Sequence, residues 1–102
     1  MSISSTKAND GRNITITISD RFDFSLHQDF RESYRDVQVS GARFALDLRE
    51  ANYMDSSALG MILLLKDHAE ALGGELVIRR PNEAIRKILD IAKFNRFVTI
   101  ED

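Results

Sequence analysis

From Phe44 onward, short apolar runs alternate with longer stretches whose apolar residues recur every three or four positions, and few folds accommodate that order. The runs Phe44-Ala45-Leu46-Asp47-Leu48 and Leu76-Val77-Ile78 read as strands buried within a sheet. Between them, Ala58, Ile62, Leu65, Ala69 and Leu72 make one stripe of a helix over 57–72, which Gly73-Gly74 stops. Pro81-Asn82 opens a further helix carrying Ile85, Ile88, Leu89 and Ala92, and Phe97-Val98-Thr99-Ile100 reads as a closing strand. Strands joined through helices run parallel, with right-handed crossovers.

The first half supplies the other edge. Ile14-Thr15-Ile16-Thr17-Ile18 alternates with period two, as a strand with one buried face does, and the turn signal Asn9-Asp10-Gly11 lets Ile3 to Lys7 pair back antiparallel. After Ser25, the expected N-cap, Leu26, Phe30, Tyr34 and Val37 predict a helix from Leu26 to Val39. The expected fold class is therefore an α/β sandwich. It has a mixed, mostly parallel sheet of about five strands, an antiparallel edge strand and three to four helices. Pro81 is the sole proline and no repeat or linker appears, so residues 1–102 are expected to form a single domain. Asp47 lies where a buried strand takes an apolar side chain, so it should emerge at the loop end or pair with a local donor.

Composition narrows the function classes. A net charge of -2 with interspersed signs lacks the positive field that nucleic-acid backbones require. The longest uninterrupted apolar run, Met61 to Leu65, falls far short of the ~20 residues of a membrane span. The polar start Ser2-Ile3-Ser4-Ser5-Thr6 lacks a signal peptide's apolar stretch, so a cytoplasmic location is expected. Absence of cysteine removes disulfides and thiolate chemistry. His27 and His68 lack a partner at metal spacing and read as surface residues, and no cofactor is expected.

Chemistry concentrates in Tyr53-Met54-Asp55-Ser56-Ser57-Ala58-Leu59-Gly60, where two hydroxyls meet the start of the best-defined helix. By position, Asp55 or Ser56 is a favoured cap, worth about 1 kcal/mol over alanine. The same helix terminus also tolerates a phosphoryl group, because its amides and dipole favour anions. Met54 to Gly60 resembles the signature of the STAS domain, named for sulfate transporters and anti-sigma factor antagonists. Phe22-Asp23 is similar to that family's acidic position before the first helix. Leu46-Asp47-Leu48 resembles its central strand, and Gly73-Gly74-Glu75-Leu76 its helix-to-strand turn. A STAS-like sandwich spanning nearly the whole chain is what the resemblance implies.

In the family's regulatory branch the serine directly after the aspartate is phosphorylated, which here is Ser56, with Ser57 the neighbouring hydroxyl that is usually not the acceptor. The resemblance implies a non-enzymatic anti-sigma factor antagonist. Its unphosphorylated form would bind an anti-sigma factor, a serine kinase or a kinase-phosphatase regulator, and a cognate phosphatase would reset it. Asp23, Asp55, Ser57, Leu59, Gly60 and Leu63 are the expected partner contacts, in a monomer or weak dimer. Leu59, Leu63 and Leu64 fall off the main apolar stripe, leaving surplus apolar surface beside Ser56. Phe22 to Phe30 also resembles Gram-negative antagonists that pair with response regulators carrying phosphatase and kinase-like activity.

Two positions depart from the family pattern. Asp20-Arg21 replaces a glycine before Phe22-Asp23, and Ala58 replaces a glycine after the serine pair, which should firm the helix start and narrow a kinase's approach. The alternative role within the fold is a structural STAS subunit of a lipid or anion transporter, without phosphorylation. A receiver domain would need an acidic pair after its first strand, which Ser19-Asp20 does not supply. An independent enzyme would need a glycine-rich phosphate loop, a Gly-x-Ser-x-Gly elbow or a histidine base near Ser56, and none is present.

Overall fold

A computed structural model describes residues 2–101. Its strands are β1 (Ile3–Lys7), β2 (Asn13–Ile18), β3 (Asp20–Phe22), β4 (Arg43–Asp47), β5 (Ala51–Met54), β6 (Glu75–Arg79) and β7 (Thr99–Glu101). The helices are α1 (His27–Glu32), α2 (Ser56–Ala71) and α3 (Glu83–Ile91), with 3-10 turns at Phe24–Leu26 and Phe94–Arg96. The main sheet runs β1-β2-β4-β6-β7, antiparallel only at β1–β2 and parallel elsewhere. This is the mixed five-stranded sheet with three helices that the sequence predicts.

From β2 through β4 and β6 to β7 the chain steps in one direction, so right-handed crossovers put every helix on the same face. Alternation does the rest: Ile14, Ile16 and Ile18 of β2, Phe44 and Leu46 of β4 and Leu76 and Ile78 of β6 all face the helices. There they join Phe30, Ile62, Leu65, Ile85 and Leu89 in one buried cluster. Each fully buried aliphatic side chain of this kind contributes about 1.5–3 kcal/mol. The opposite face carries the half-buried Thr15, Thr17 and Val77, the nearly buried Ala45, and the exposed ion pairs Arg43–Glu75 and Arg79–Glu101.

Asp47 satisfies both expectations at once. It ends β4, is 8% exposed, accepts the Arg49 amide at 3.0 Å and takes the Arg80 guanidinium on its other oxygen. Arg80 itself takes a left-handed φ of 51°.

Three expectations are corrected. The first helix ends at Glu32 rather than Val39. The Ser33 hydroxyl donates to the Phe30 carbonyl, the Gln38 side-chain amide donates to the Arg35 carbonyl, and the Val37 amide bonds only three residues back to Tyr34. Tyr34 and Val37 still point inward from turns, which is why their spacing imitates a longer helix. The last strand starts at Thr99, because the Val98 amide is still bonded to the Phe94 carbonyl and Phe97 is left 51% exposed. His68 is not a surface residue. It is half-buried against Tyr34 and Phe44, and its Nε2–H donates to the Val37 carbonyl at 2.9 Å.

The stop after α2 is fixed by the two glycines. Gly73 takes a φ of 74°, and the Gly74 amide reaches back to the Ala69 carbonyl at 2.9 Å. A Cβ on Gly74 would lie 1.7 Å from the Ala42 carbonyl oxygen, and backbone cannot yield that much. Gly74→Ala is expected to cost at least about 3 kcal/mol in urea unfolding, above the usual cost of overpacking; a loss below about 1 kcal/mol would refute this contact.

Candidate functional site

β3 and β5 form a second, two-stranded parallel sheet that no periodicity in the sequence announces. Each strand is too short to display its period, with Phe22 alone and Ala51 with Met54 as inward residues. Pairing sets Phe22 beside Met54 and Arg21 beside Tyr53, so the residues that follow, Asp23 and Asp55, leave the two strands side by side. The clustering of Asp23 with the Ser56 loop therefore has a definite cause.

The two aspartates do the same work. Asp23 is extended (φ -135°, ψ -173°) and caps the Phe24–Leu26 turn, accepting the Ser25 amide at 3.0 Å and the Ser25 hydroxyl at 2.5 Å. Asp55 is extended as well (φ -120°, ψ -177°) and caps α2, accepting the Ala58 amide at 3.2 Å and the Ser57 hydroxyl at 2.6 Å. Each is an Asp-x-Ser cap in which the serine two residues on locks the carboxylate. Ser25, expected to be the N-cap itself, is instead the donor that fixes Asp23.

Ser56 differs from both locked serines. It is the first residue of α2 and is exposed, and among the described residues its hydroxyl has no hydrogen-bond partner. Ser57 is half-buried and committed to Asp55. One hydroxyl of the pair is thus available to a second molecule and the other is used for structure. Ala58 is fully buried, so its methyl supports the core and does not narrow the approach to Ser56.

Down the exposed side of α2, Gly60 follows Ser56 by one turn and leaves the helix backbone bare, with open space where a Cβ would stand. Leu59 and Leu63 are partly buried against the core, which draws them away from the free surface. Leu64 is 61% exposed and shares a small groove of about 150 Å³ with Phe24, also 61% exposed, and with Met61. Phe24 lies flat on His27, ring centres 4.2 Å apart, while the His27 Nδ1–H donates to the Phe24 carbonyl at 3.0 Å. The exposed apolar surface beside α2 therefore centres on Leu64 and Phe24. Phe24 was not singled out in the sequence because it occupies a turn. A cavity of about 660 Å³ lies between the far ends of α2 and α3, and none of Asp23, Asp55, Ser56 or Ser57 lines it.

Arg31 lines the groove shared by Leu64 and Phe24, and a second cation stands on the neighbouring β3–β5 sheet. Arg21 lies over the Tyr53 ring, 4.0 Å from its centre, and reaches Asp23 Oδ2 with Nε at 3.3 Å. The Asp20 before it takes a left-handed φ of 63°, a conformation that glycine adopts freely and aspartate tolerates, so the replacement of the family's glycine keeps the backbone geometry. Among the described residues, no group of three or more His, Cys, Asp or Glu side chains is arranged to hold a metal ion.

The whole-chain comparison is decisive: the STAS-domain model matches residues 5–102. The chain belongs to the STAS-domain family. It is 44% identical over 100 residues to a STAS-domain containing protein of Pseudomonas aeruginosa (strain UCBPP-PA14), covering 98% of this chain and 99% of that one. A proposed anti-sigma factor antagonist from Thermotoga maritima superposes with a TM-score of 0.80 at 18% identity, covering 98% of this chain and 86% of that one. The anti-sigma factor antagonist SpoIIAA in its unphosphorylated form gives 0.74 at 16% identity, over 98% and 87% of the two chains. The Bacillus SpoIIAA in its phosphorylated form gives 0.73 at 17%, over 96% and 89%. At these identities the solved structures establish the STAS fold. Among the described residues, no helix is long and apolar enough to cross a membrane.

Hydrogen bonds from Ser25 hold the Asp23 carboxyl below its ordinary value of 3.8, first through the hydroxyl and then through the amide, with Arg21 a smaller cause. A lowered folded pKa means that this stabilisation is present above the ordinary value and lost as pH falls through the folded one. Asp23→Asn is therefore expected to flatten the loss of stability below about pH 4, measured as urea midpoints across pH. The remaining acid limb should include Asp10, lowered by bonds from Arg12 and Asn13 in its turn. An acid limb identical to wild type would show that Asp23 is not held this way.

Proposed function

We propose that this chain is a cytoplasmic anti-sigma factor antagonist, a substrate rather than a catalyst, whose unphosphorylated form binds an anti-sigma factor or serine kinase and whose phosphorylation on Ser56 ends that binding. The observation that carries the reading is the contrast within the serine pair. Ser56 is exposed and unbonded at the start of α2, while Ser57 is locked at 2.6 Å onto Asp55. Family membership and the likeness to SpoIIAA, solved in unphosphorylated and phosphorylated forms, support the role.

The physics of the switch is a charge placed where two carboxylates already stand. A phosphoryl group adds about 1.5 to 2 negative charges beside Asp55 and Asp23. Like charges pressed into an interface cost several kcal/mol, and about 3 kcal/mol weakens binding roughly a hundredfold. A phosphatase restores the neutral hydroxyl. Gly60 gives the partner access to bare helix, Leu59 and Leu63 support that surface from beneath, and the exposed Leu64 extends it.

Incubation with the cognate kinase and ATP is expected to place one phosphate on Ser56, located by peptide mass spectrometry. Ser56→Ala should remain unmodified and Ser56→Asp should lose partner binding, whereas Ser57→Ala should weaken the α2 cap while leaving Ser56 modifiable. Wild-type binding by Ser56→Asp together with an unmodified Ser56 would sink the switch and favour the structural role.

Gly60 separates fold from recognition. Replacing it by alanine is expected to stabilise the chain by about 0.5–1 kcal/mol, because glycine is a poor helix residue and the space is open. The same methyl stands on the docking surface and should lower partner affinity. A stabilised variant with undiminished affinity would remove Gly60 from the interface.

A further inference from the structure

We propose that Arg21 is the counter-cation of a phosphoryl group on Ser56, and that on phosphorylation its guanidinium leaves Asp23 and turns to the phosphate. The proposal rests on the reading of Ser56 as acceptor and extends it to a residue on a different strand.

Placement is the first support. Phe22 and Met54 point into the core, so their strand neighbours Arg21 and Tyr53 point outward. Asp23 and Asp55 are both extended, which continues the alternation and keeps their carboxylates on the outer side with Arg21. Segments 20–23 and 51–56 hold three carboxylates, Asp20, Asp23 and Asp55, and Arg21 is the one cation among them. A phosphoserine at position 56 follows directly on the Asp55 carboxylate, and Arg21 is the cation carried on the strand paired with β5.

Reach is the second. Arg21 is paired with Tyr53, three residues before Ser56. That amounts to about 10 Å along the strand and about 5 Å across it, a span that an extended arginine and a phosphoserine facing each other can close. The register shift between Asp20 and Arg21 sets this pairing.

The third support is how lightly Arg21 is held. Its side chain is 62% exposed, and it contacts Asp23 through Nε alone at 3.3 Å, which leaves both terminal nitrogens available. Asp23 does not depend on it, because Ser25 supplies the stronger hydrogen bonds at 2.5 and 3.0 Å. A phosphate offers nearly twice the charge of a carboxylate and a fork-shaped set of oxygens that guanidinium fits bidentately. Moving to it forfeits one long contact and a ring stack.

Departure of Arg21 also changes the surface beyond its charge. The Tyr53 ring, 39% exposed with the guanidinium on it, becomes uncovered, and Asp23 loses its cation while keeping its bonds from Ser25. A partner would then meet altered chemistry on β3 and β5 as well as the phosphate at α2.

The test installs phosphoserine at position 56 of the full chain by genetic-code expansion, so no kinase is needed. In a 31P titration, the second phosphate ionisation is expected about 0.3–0.5 pH units lower in wild type than in Arg21→Ala, since a nearby cation favours the dianion. Arg21→Lys should recover part of that gap, and 1 M salt should shrink it. The Arg21 Nε–H resonance should move with the phosphate's titration. Equal phosphate pKa values in wild type and Arg21→Ala, with a static Nε–H signal, would overturn the proposal. A Ser56 that no kinase modifies would instead defeat the acceptor reading and leave this measurement standing.

Discussion

The parallel pairing of β3 with β5 is the contact on which the site depends. It is only three residues long, yet it decides which residues meet. Phe22 and Met54 anchor it from below, and because both strands end at the same level, each passes directly into an aspartate that opens the next element. Had the register slipped by one residue, the inward and outward side chains would exchange faces and the two carboxylates would no longer stand together.

Two like charges at adjacent strand ends would be a liability without compensation. The compensation is local: each carboxylate accepts one amide and one hydroxyl, from Ser25 at Asp23 and from Ser57 and Ala58 at Asp55. These bonds immobilise the aspartates and consume the serine that closes each Asp-x-Ser triplet. At α2 the residue between aspartate and locked serine is Ser56, exposed because its neighbours have taken the structural tasks. The equivalent place before α1 is filled by Phe24, which covers His27 and adds exposed apolar surface to the same neighbourhood.

Much of this architecture was legible in the chain itself, for physical reasons that differ by element. α2 was legible because sixteen residues give a stripe time to repeat, and β2 because isoleucine and threonine alternate without interruption. The end of the first helix is not legible, because the turns after Glu32 keep Tyr34 and Val37 on the side of Phe30 as a helix would. β3 and β5 were invisible as strands, since three or four residues cannot display a period. The serine pair was visible in sequence, but the division of labour between Ser56 and Ser57 was not, because it depends on one side-chain hydrogen bond. Arg21 stands out in sequence only as a departure from the family pattern, while its place over Tyr53 follows from a pairing that only three dimensions reveal. His68 shows the same limit: its spacing on α2 says nothing of the Val37 carbonyl that it satisfies from another segment.

The one-sided arrangement of the helices has an evolutionary consequence. Ser56 and the two capping aspartates lie at the strand tips and helix starts, while the opposite face of the sheet is a mosaic of threonine, alanine and valine crossed by Arg43–Glu75 and Arg79–Glu101. Substitutions there can alter charge, stickiness or attachment to a larger assembly without passing through the packing that holds Ser56. A lineage carrying this domain can therefore change what it is mounted on and what it answers to as two independent traits.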